Sequence, residues 1–201
     1  MPRAFSKLER ENIRTALINN AAIEISRKGF RKLSIDALVK RVHISKGAFY
    51  LFYSSKEMLI FDVVQKAQES ARIQIREMIA TNKSRPGTYR ARKLLEGLFG
   101  AFTSFPVLAE LSKPESLVEL IRVLPRDVFE AEFKSDEEFF RSVFADIMKE
   151  RGIRKIDLNV LCGLPRMVLA LETNKDMIGT ERYDELKEMF IYGMSRELQR
   201  R

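Results

Sequence analysis

Residues 33–59 read LSIDALVKRVHISKGAFYLFYSSKEML, and this stretch predicts two short helices joined by a tight turn. Ser34 is a good N-cap for the first helix, because its hydroxyl can accept a hydrogen bond from a backbone N–H of the first turn. The turn follows at residues 42–44, and Ser45 caps the second helix. Three apolar side chains, spaced three and four residues apart, share one face of the first helix: Ile35, Leu38 and Val42.

The second of these helices is predicted to present a distinctive face to solvent. Phe49 and Phe52 point back toward the first helix, and Ser55 then caps a third helix that has Lys56 in its first turn. In DNA-binding helix-turn-helix proteins the second helix lies in the major groove. The alternative is an ordinary helical hairpin in an all-α core, whose solvated face would carry Glu and Gln. The outward side chains here are small, basic or aromatic: Lys46, Gly47, Ala48, Tyr50 and Leu51.

Residues 8–60 resemble the DNA-binding domain of TetR-family transcriptional repressors. The resemblance is carried by Gly29-Phe30, by Ser34 with LVKR at 38–41, by ISKGAFY at 44–50 and by FYSSKE at 52–57. The turn departs from the family, which usually has Gly where this chain has His43, at a position expected to need a left-handed backbone. Phe52 and Tyr53 replace the more usual His or Tyr followed by Phe. DNA contacts are therefore predicted from Ser34, Ser45, Lys46, Gly47, Ala48, Tyr50, Leu51 and Lys56.

The charge of the chain is concentrated in the same segment. Residues 1–56 contain 12 Lys or Arg and 4 Asp or Glu, whereas the whole chain of 201 residues has a net charge of +8. Residues 57–201 are therefore neutral overall. A basic charge confined to one module is typical of phosphate binding. A membrane-surface helix would instead show a continuous apolar face opposite its charges, which these short helices lack.

The remaining pattern is helical throughout, and no alternating run predicts a strand. A long helix is expected over 55–80, followed by a polar linker at 81–87 that ends in Pro-Gly. Further helices are expected to begin at the acidic run 135–138, after the cap Asp157 and after the cap Thr180. We therefore predict an all-α protein. Residues 1–54 would form a three-helix, helix-turn-helix DNA-binding domain, and residues 55–201 a helical ligand-binding and dimerisation domain with 55–80 as connecting helix.

No motif marks the role of the second domain, and its aromatic and Met side chains could be ordinary core. The resemblance implies a small-molecule effector in a helical pocket and dimerisation through the last two helices. The segment 158–171 is apolar on more than one face, which favours burial against a core or a partner subunit. The predicted pocket side chains are Tyr89, Leu98, Phe102, Leu120, Arg122, Phe140, Phe144, Arg166 and Met167. The predicted dimer contacts are Leu158, Leu161, Cys162, Leu169, Tyr183, Phe190 and Met194.

Two functions remain open at this stage. The first is a repressor that binds a palindromic DNA operator as a homodimer and is released by a small, largely apolar effector. The second is an all-α adaptor whose basic N-terminal module contacts an acidic protein. We expect no enzyme, metal or cofactor, because His43 is the only histidine and no phosphate loop, Cys-x-x-Cys or nucleophile elbow occurs. A cytoplasmic location and no membrane partner are expected from the single Cys162 and the absence of a long apolar run.

Overall fold

The computed structural model describes residues 5–149 and 153–199, and the regular structure within them is entirely α-helical. The prediction of an all-α fold is confirmed. In the described residues, no helix is both long enough and apolar enough to cross a membrane. The helices are α1 (Lys7–Lys28), α2 (Ile35–Val42), α3 (Lys46–Phe49), α4 (Lys56–Thr81), α5 (Gly87–Ser104), α6 (Pro106–Leu111), α7 (Pro114–Val123), α8 (Arg126–Met148), α9 (Leu158–Leu161), α10 (Leu164–Thr173), α11 (Lys175–Ile178) and α12 (Thr180–Glu197).

Helix α1 begins and ends at capping residues that can be recognised in the sequence. The Ser6 hydroxyl accepts from the Glu9 N–H, and the Glu9 carboxylate accepts from the Ser6 N–H at 2.7 Å, which together form a capping box. Gly29 ends the helix with φ of 81°, a left-handed value that glycine adopts without steric cost.

Two predicted helix starts and the length of one predicted helix are wrong, each for a local reason, whereas Asp157 caps α9 as expected. The acidic run at 135–138 lies inside α8, because that helix begins at Arg126, directly after Pro125. The segment 158–171 is not one helix. Pro165 has no N–H and crowds the carbonyl four residues earlier, so α9 ends at Leu161 and α10 starts at Leu164. Thr180 is the first residue of α12 and not its cap, a position that Gly179 occupies.

Packing divides the chain into two units. The first unit extends to Gln68 and also includes Pro106–Leu124. Within it α6 packs against α1 and α7 packs against α6, although both helices follow α5 in the sequence. The second unit consists of Glu69–Phe105 and the described residues from Pro125 onward. The domain boundary expected between residues 54 and 55 stays a prediction.

Glu110 joins α6 to the end of α1 within the first unit. Its Oε1 accepts from the Phe30 N–H at 3.3 Å and from the Ser116 hydroxyl at 3.1 Å, and its Oε2 accepts from Lys113 Nζ at 2.5 Å. A Cβ at Gly29 would lie 2.7 Å from Glu110 Oε1. Glycine at this position therefore both ends α1 and admits the carboxylate.

Helix α5 lies in the middle of the second unit and packs against α8, α10 and α12. Arg72, in the second half of α4, donates to Glu132 at 3.0 Å and to Asp136 at 2.6 Å, which attaches that part of α4 to α8. Burial raises the pKa of Asp136, and the Arg72 ion pair opposes this rise. The core of this unit includes Leu94, Leu95, Leu98, Phe99, Phe139, Phe140, Phe144, Ile147, Leu161, Val168, Tyr183, Ile191 and Leu198.

Candidate nucleic-acid interface

The turn between α2 and α3 has the geometry that the sequence predicts. The Ser34 hydroxyl accepts from the Ala37 N–H at 3.3 Å and caps α2. His43 ends α2 in the left-handed conformation, with φ of 57° and ψ of 43°, and donates its N–H to the Val39 carbonyl. Histidine therefore occupies the backbone conformation expected at this position, which an unbranched side chain tolerates better than a β-branched one.

Helix α3 is short and divides its side chains between core and surface. The Ser45 hydroxyl accepts from the Ala48 N–H at 3.0 Å and caps the helix. Phe49 is completely buried and meets the Tyr50 ring edge-on, at a centroid distance of 5.3 Å. The side chains predicted to contact DNA lie on the surface, and all are exposed except Ala48, which is partly exposed: Lys46, Gly47, Ala48, Tyr50 and Leu51.

Asp62 connects the segment after α3 to α4 and α1. Its Oδ2 accepts from the Tyr53 hydroxyl at 2.9 Å and from Arg14 Nη2 at 2.5 Å. Burial raises the pKa of Tyr53, and the hydrogen bond to Asp62 adds to the rise, so the phenol stays neutral and keeps donating. A partly buried polar contact after the C-terminal end of α3 thus helps the buried Phe49 to hold the orientation of this helix.

Lys56 lies in the first turn of α4, where the Ser55 hydroxyl accepts from the Met58 N–H at 3.3 Å. The first turn of a helix has backbone N–H groups without intrahelical partners, and its dipole favours an anion. A lysine charge and these N–H groups can therefore meet the same phosphate. This is the arrangement predicted for a phosphate anchor beside α3.

Arg10 is a basic side chain of this region that the sequence alone does not single out. Its guanidinium carbon lies 5.4 Å from the centroid of the Phe52 ring, and the Phe5 ring lies 5.9 Å from the same ring. Phe52, predicted to face the first helix, is only partly buried and supports this exposed arginine. The sequence does not show the pairing of Phe52 with Arg10, because it depends on how α1 packs beside the segment that follows α3.

The predicted pocket side chains fall into three groups. Leu98, Phe140 and Phe144 are buried in the core of the second unit, and Phe102 packs against that core. Leu120 and Arg122 belong to α7 in the first unit. The remaining three are exposed on the second unit: Tyr89, Arg166 and Met167. An open groove lined by Gly193, Arg196, Glu197 and Gln199 lies elsewhere, beside the end of α12.

The predicted dimer side chains are mostly turned inward. Leu161, Cys162 and Tyr183 are buried in the second unit, and Leu158, Leu169, Phe190 and Met194 are partly buried. The dimer contacts stay a prediction, and the exposed apolar side chains of α9 to α12 are other residues than those predicted. These exposed side chains are Val160, Met167, Met177, Leu186, Met189 and Tyr192, of which the last three share one face of α12.

Comparison with known proteins gives a family match for the helix-turn-helix region and a similarity of fold for the whole chain. Residues 17–63 match the family model described as bacterial regulatory proteins, tetR family. No curated protein matches the sequence.

Solved structures resemble the fold over nearly the whole chain. A TetR-family transcriptional regulator from Pectobacterium atrosepticum is 16% identical, with a TM-score of 0.71 over 98% of this chain and 99% of that one. RolR, solved in complex with the ligand resorcinol, is 16% identical, with a TM-score of 0.63 over 96% and 90% of the two chains. The fatty acid degradation regulator FadR from Bacillus halodurans is 16% identical, with a TM-score of 0.59 over 94% and 97%.

Proposed function

The chain belongs to the TetR family of bacterial regulatory proteins, and from this premise we propose that it is a ligand-responsive transcriptional repressor. It binds a palindromic DNA operator as a homodimer and is released by a small, largely apolar effector. The observation that carries the proposal is the exposed face of α3, flanked by Lys56 at the start of α4. A short capped helix with small and aromatic outward side chains fits the major groove.

The mode of DNA recognition follows from the side chains on that face. From Lys46 to Phe52 there is no Arg, Asn or Gln to make a two-point contact with a base. Ala48 can touch a thymine methyl group, Tyr50 can donate to a phosphate, and Gly47 permits close approach of the backbone. Much of the operator preference should therefore come from the shape and deformability of base pairs that the protein does not touch.

A homodimer is supported by the apolar side chains exposed on α10, α11 and α12. Met189 is 64% exposed and Tyr192 55% exposed, although both belong to the last long helix. Gly193 beside them has no atom within 4 Å of the position of a Cβ, which leaves room for a helix of a second subunit. Two-fold symmetry would place two copies of α3 about 34–36 Å apart, one turn of duplex, and it requires a palindromic operator.

The proposal of an apolar effector rests on the composition of the second unit. Leu98, Phe140 and Phe144 are aromatic or aliphatic side chains on α5 and α8, and an effector that enters among them would separate these two helices. RolR was solved with resorcinol, a small aromatic molecule, which supports a ligand of this size. Helix α4 begins in the first unit and ends in the second, so it belongs to both.

The decisive experiment is selection of DNA by the purified full chain. Duplexes are enriched from a random pool, and affinity for the enriched duplex and for a scrambled duplex is measured from about 50 to about 200 mM salt. We expect a palindromic consensus and a loss of affinity of about 10³-fold or more over that range, since several phosphates are contacted. No enrichment, together with weak salt dependence, would contradict the proposal and favour an adaptor that contacts an acidic protein.

A further inference from the structure

Helix α3, which we call the recognition helix, carries a single charged side chain. A carboxylate on the neighbouring helix α2 balances this charge. Lys46 is the first residue of α3, and no other Lys, Arg, Asp or Glu occurs up to Phe52. Its Nζ lies 3.0 Å from Oδ1 of Asp36, in the first turn of α2. The hydrogen bond to Asp36 raises the pKa of Lys46, so the lysine remains charged and remains a donor.

This ion pair is unfavourable for DNA binding, because it adds a negative charge to a surface that would contact phosphates. Asp36 is a carboxylate on the same side of the unit as Lys46, and a carboxylate repels the DNA backbone. Both side chains are largely exposed, 54% for Lys46 and 67% for Asp36. An ion pair of this kind contributes little to the stability of a protein. Its presence therefore points to a role other than holding α2 against α3.

Some basic side chains of the first unit also have carboxylate partners, among them Arg14, Arg31 and Lys113. Three lysines differ from Lys46 in this respect. In the described part of the chain, Lys32, Lys40 and Lys56 have no carboxylate within ion-pair distance. Lys40 and Lys32 are exposed, and Lys56 lies at the start of α4. These lysines can bind phosphates of any sequence, whereas the charge of Lys46 on the exposed face of α3 is balanced by Asp36.

We propose that Asp36 is a specificity-determining residue, which acts by restraining the Lys46 ammonium. This inference rests on the proposed DNA-binding function. A free lysine is a flexible point charge that contacts any phosphate within its reach. Paired with Asp36, Lys46 has one N–H occupied and the others directed away from α2, so it binds well only where an acceptor lies in that direction. The acceptor edge of guanine, O6 and N7, is the base edge that suits a lysine in the major groove.

The restraint on Lys46 lowers the affinity for random DNA more than the affinity for the operator. On a random duplex the pair stays closed, and Lys46 releases no counterion. On the operator the remaining N–H groups of Lys46 find the guanine edge without breaking the pair. Loss of the carboxylate would allow Lys46 to bind one more phosphate on any duplex.

The test uses Asp36→Asn in the full chain, with the enriched operator and a scrambled duplex from the selection. For the scrambled duplex we expect higher affinity and a plot of log K against log salt that is steeper by about 0.9, which corresponds to one additional phosphate. The ratio of operator to scrambled affinity should fall about two- to fivefold. Glu115→Gln is the matched control: Glu115 is an exposed carboxylate of α7 in the same unit, and its loss should leave the slope unchanged.

A second background separates this role from a structural one, because Asp36 also favours the first turn of α2. In a Lys46→Gln protein, Asp36→Asn should no longer change the salt slope or the affinity ratio. Persistence of the effect in that background would overturn the proposal, as would an equal change in affinity for both duplexes. A wild-type chain that enriches no sequence would instead contradict the proposed function itself.

Discussion

At the scale of single residues, the nucleic-acid face depends on where each lysine is placed. Lys46 is paired with Asp36, whereas Lys56 lies in the first turn of α4 beside backbone N–H groups that have no intrahelical acceptor. The two lysines therefore have different expected roles, the first in discrimination between sequences and the second in affinity for any duplex.

We predict that Lys56→Ala weakens binding to operator and scrambled duplexes by nearly the same factor. One phosphate contact is lost, so the salt slope should become shallower by about 1 for both. A salt titration of each duplex measures this. Lys83→Ala, an exposed lysine of the second unit, serves as the control and should behave like wild type. An unchanged slope for Lys56→Ala would mean that Lys56 is an ordinary solvated lysine.

At the scale of helices, the most informative arrangement is the packing of α6 against α1, in the unit that contains the helix-turn-helix. Helices α6 and α7 come from the middle of the chain, yet Glu110 accepts from the Phe30 N–H at the end of α1, and Arg31 lies 3.5 Å from Glu119 of α7. The DNA-binding unit is thus completed by a segment that follows α5. The end of α1 is thus in direct contact with α6.

We predict that Glu110→Ala destabilises the first unit. The Phe30 N–H and the Ser116 hydroxyl would each lose an acceptor in a partly buried place, which costs about 1–3 kcal/mol. The free energy of unfolding in urea measures the loss. Glu115→Ala removes an exposed carboxylate of α7 and is expected to change the free energy by less than about 0.5 kcal/mol. Equal stability of the two variants would show that the Glu110 contacts are dispensable.

At the scale of the whole molecule, assembly and effector response determine the biological behaviour. Phe190, on the predicted dimer helix, packs against Phe99 with ring centroids 5.9 Å apart. An aspartate at Phe190 would therefore disrupt the protomer and could not distinguish a monomer from an unfolded chain. The exposed stripe on α12 is the better place to test assembly.

We predict that the double variant Met189→Asp and Tyr192→Asp is a folded monomer. Two charges would be buried without partners in the proposed interface, which disfavours association, while the core under α12 is unchanged. Analytical ultracentrifugation gives the mass and circular dichroism the helicity. Gln74→Asp, at an exposed position of α4, should remain a dimer. A wild-type chain that is monomeric at micromolar concentration would contradict the homodimer.

We predict that the effector lowers the affinity for the operator and that the operator lowers the affinity for the effector by the same factor. Coupling between two sites is typically about 1–3 kcal/mol, so a saturating effector should weaken operator binding roughly 5- to 150-fold. Operator DNA should weaken effector binding equally, because linkage is reciprocal. Calorimetric titration of a bound small aromatic ligand, with and without operator, measures this factor. Equal affinities in both titrations would mean that the second unit is not a sensor.

The sequence by itself determined those features that depend on neighbouring residues. Capping hydroxyls place the starts of α1, α2 and α3 because the acceptor and the free N–H are three residues apart, as for Ser6, Ser34 and Ser45. The break at Pro165 was equally local and could have been anticipated, since proline disrupts a helix that continues through it. The residues of the recognition face were predictable for the same reason, because one helical turn sets their spacing.

Only the tertiary structure decided which faces of the later helices are buried and which distant segments meet. Leu161 and Tyr183 point into the core, whereas Met189 and Tyr192 point outward. Apolar residues occur on more than one face of these helices, so the local sequence does not show which face is buried. The pairing of Asp36 with Lys46 needs the angle between α2 and α3. The contact of Glu110 with Phe30 joins residues 80 positions apart, and such a contact depends on how the whole chain packs and not on the local pattern of either segment.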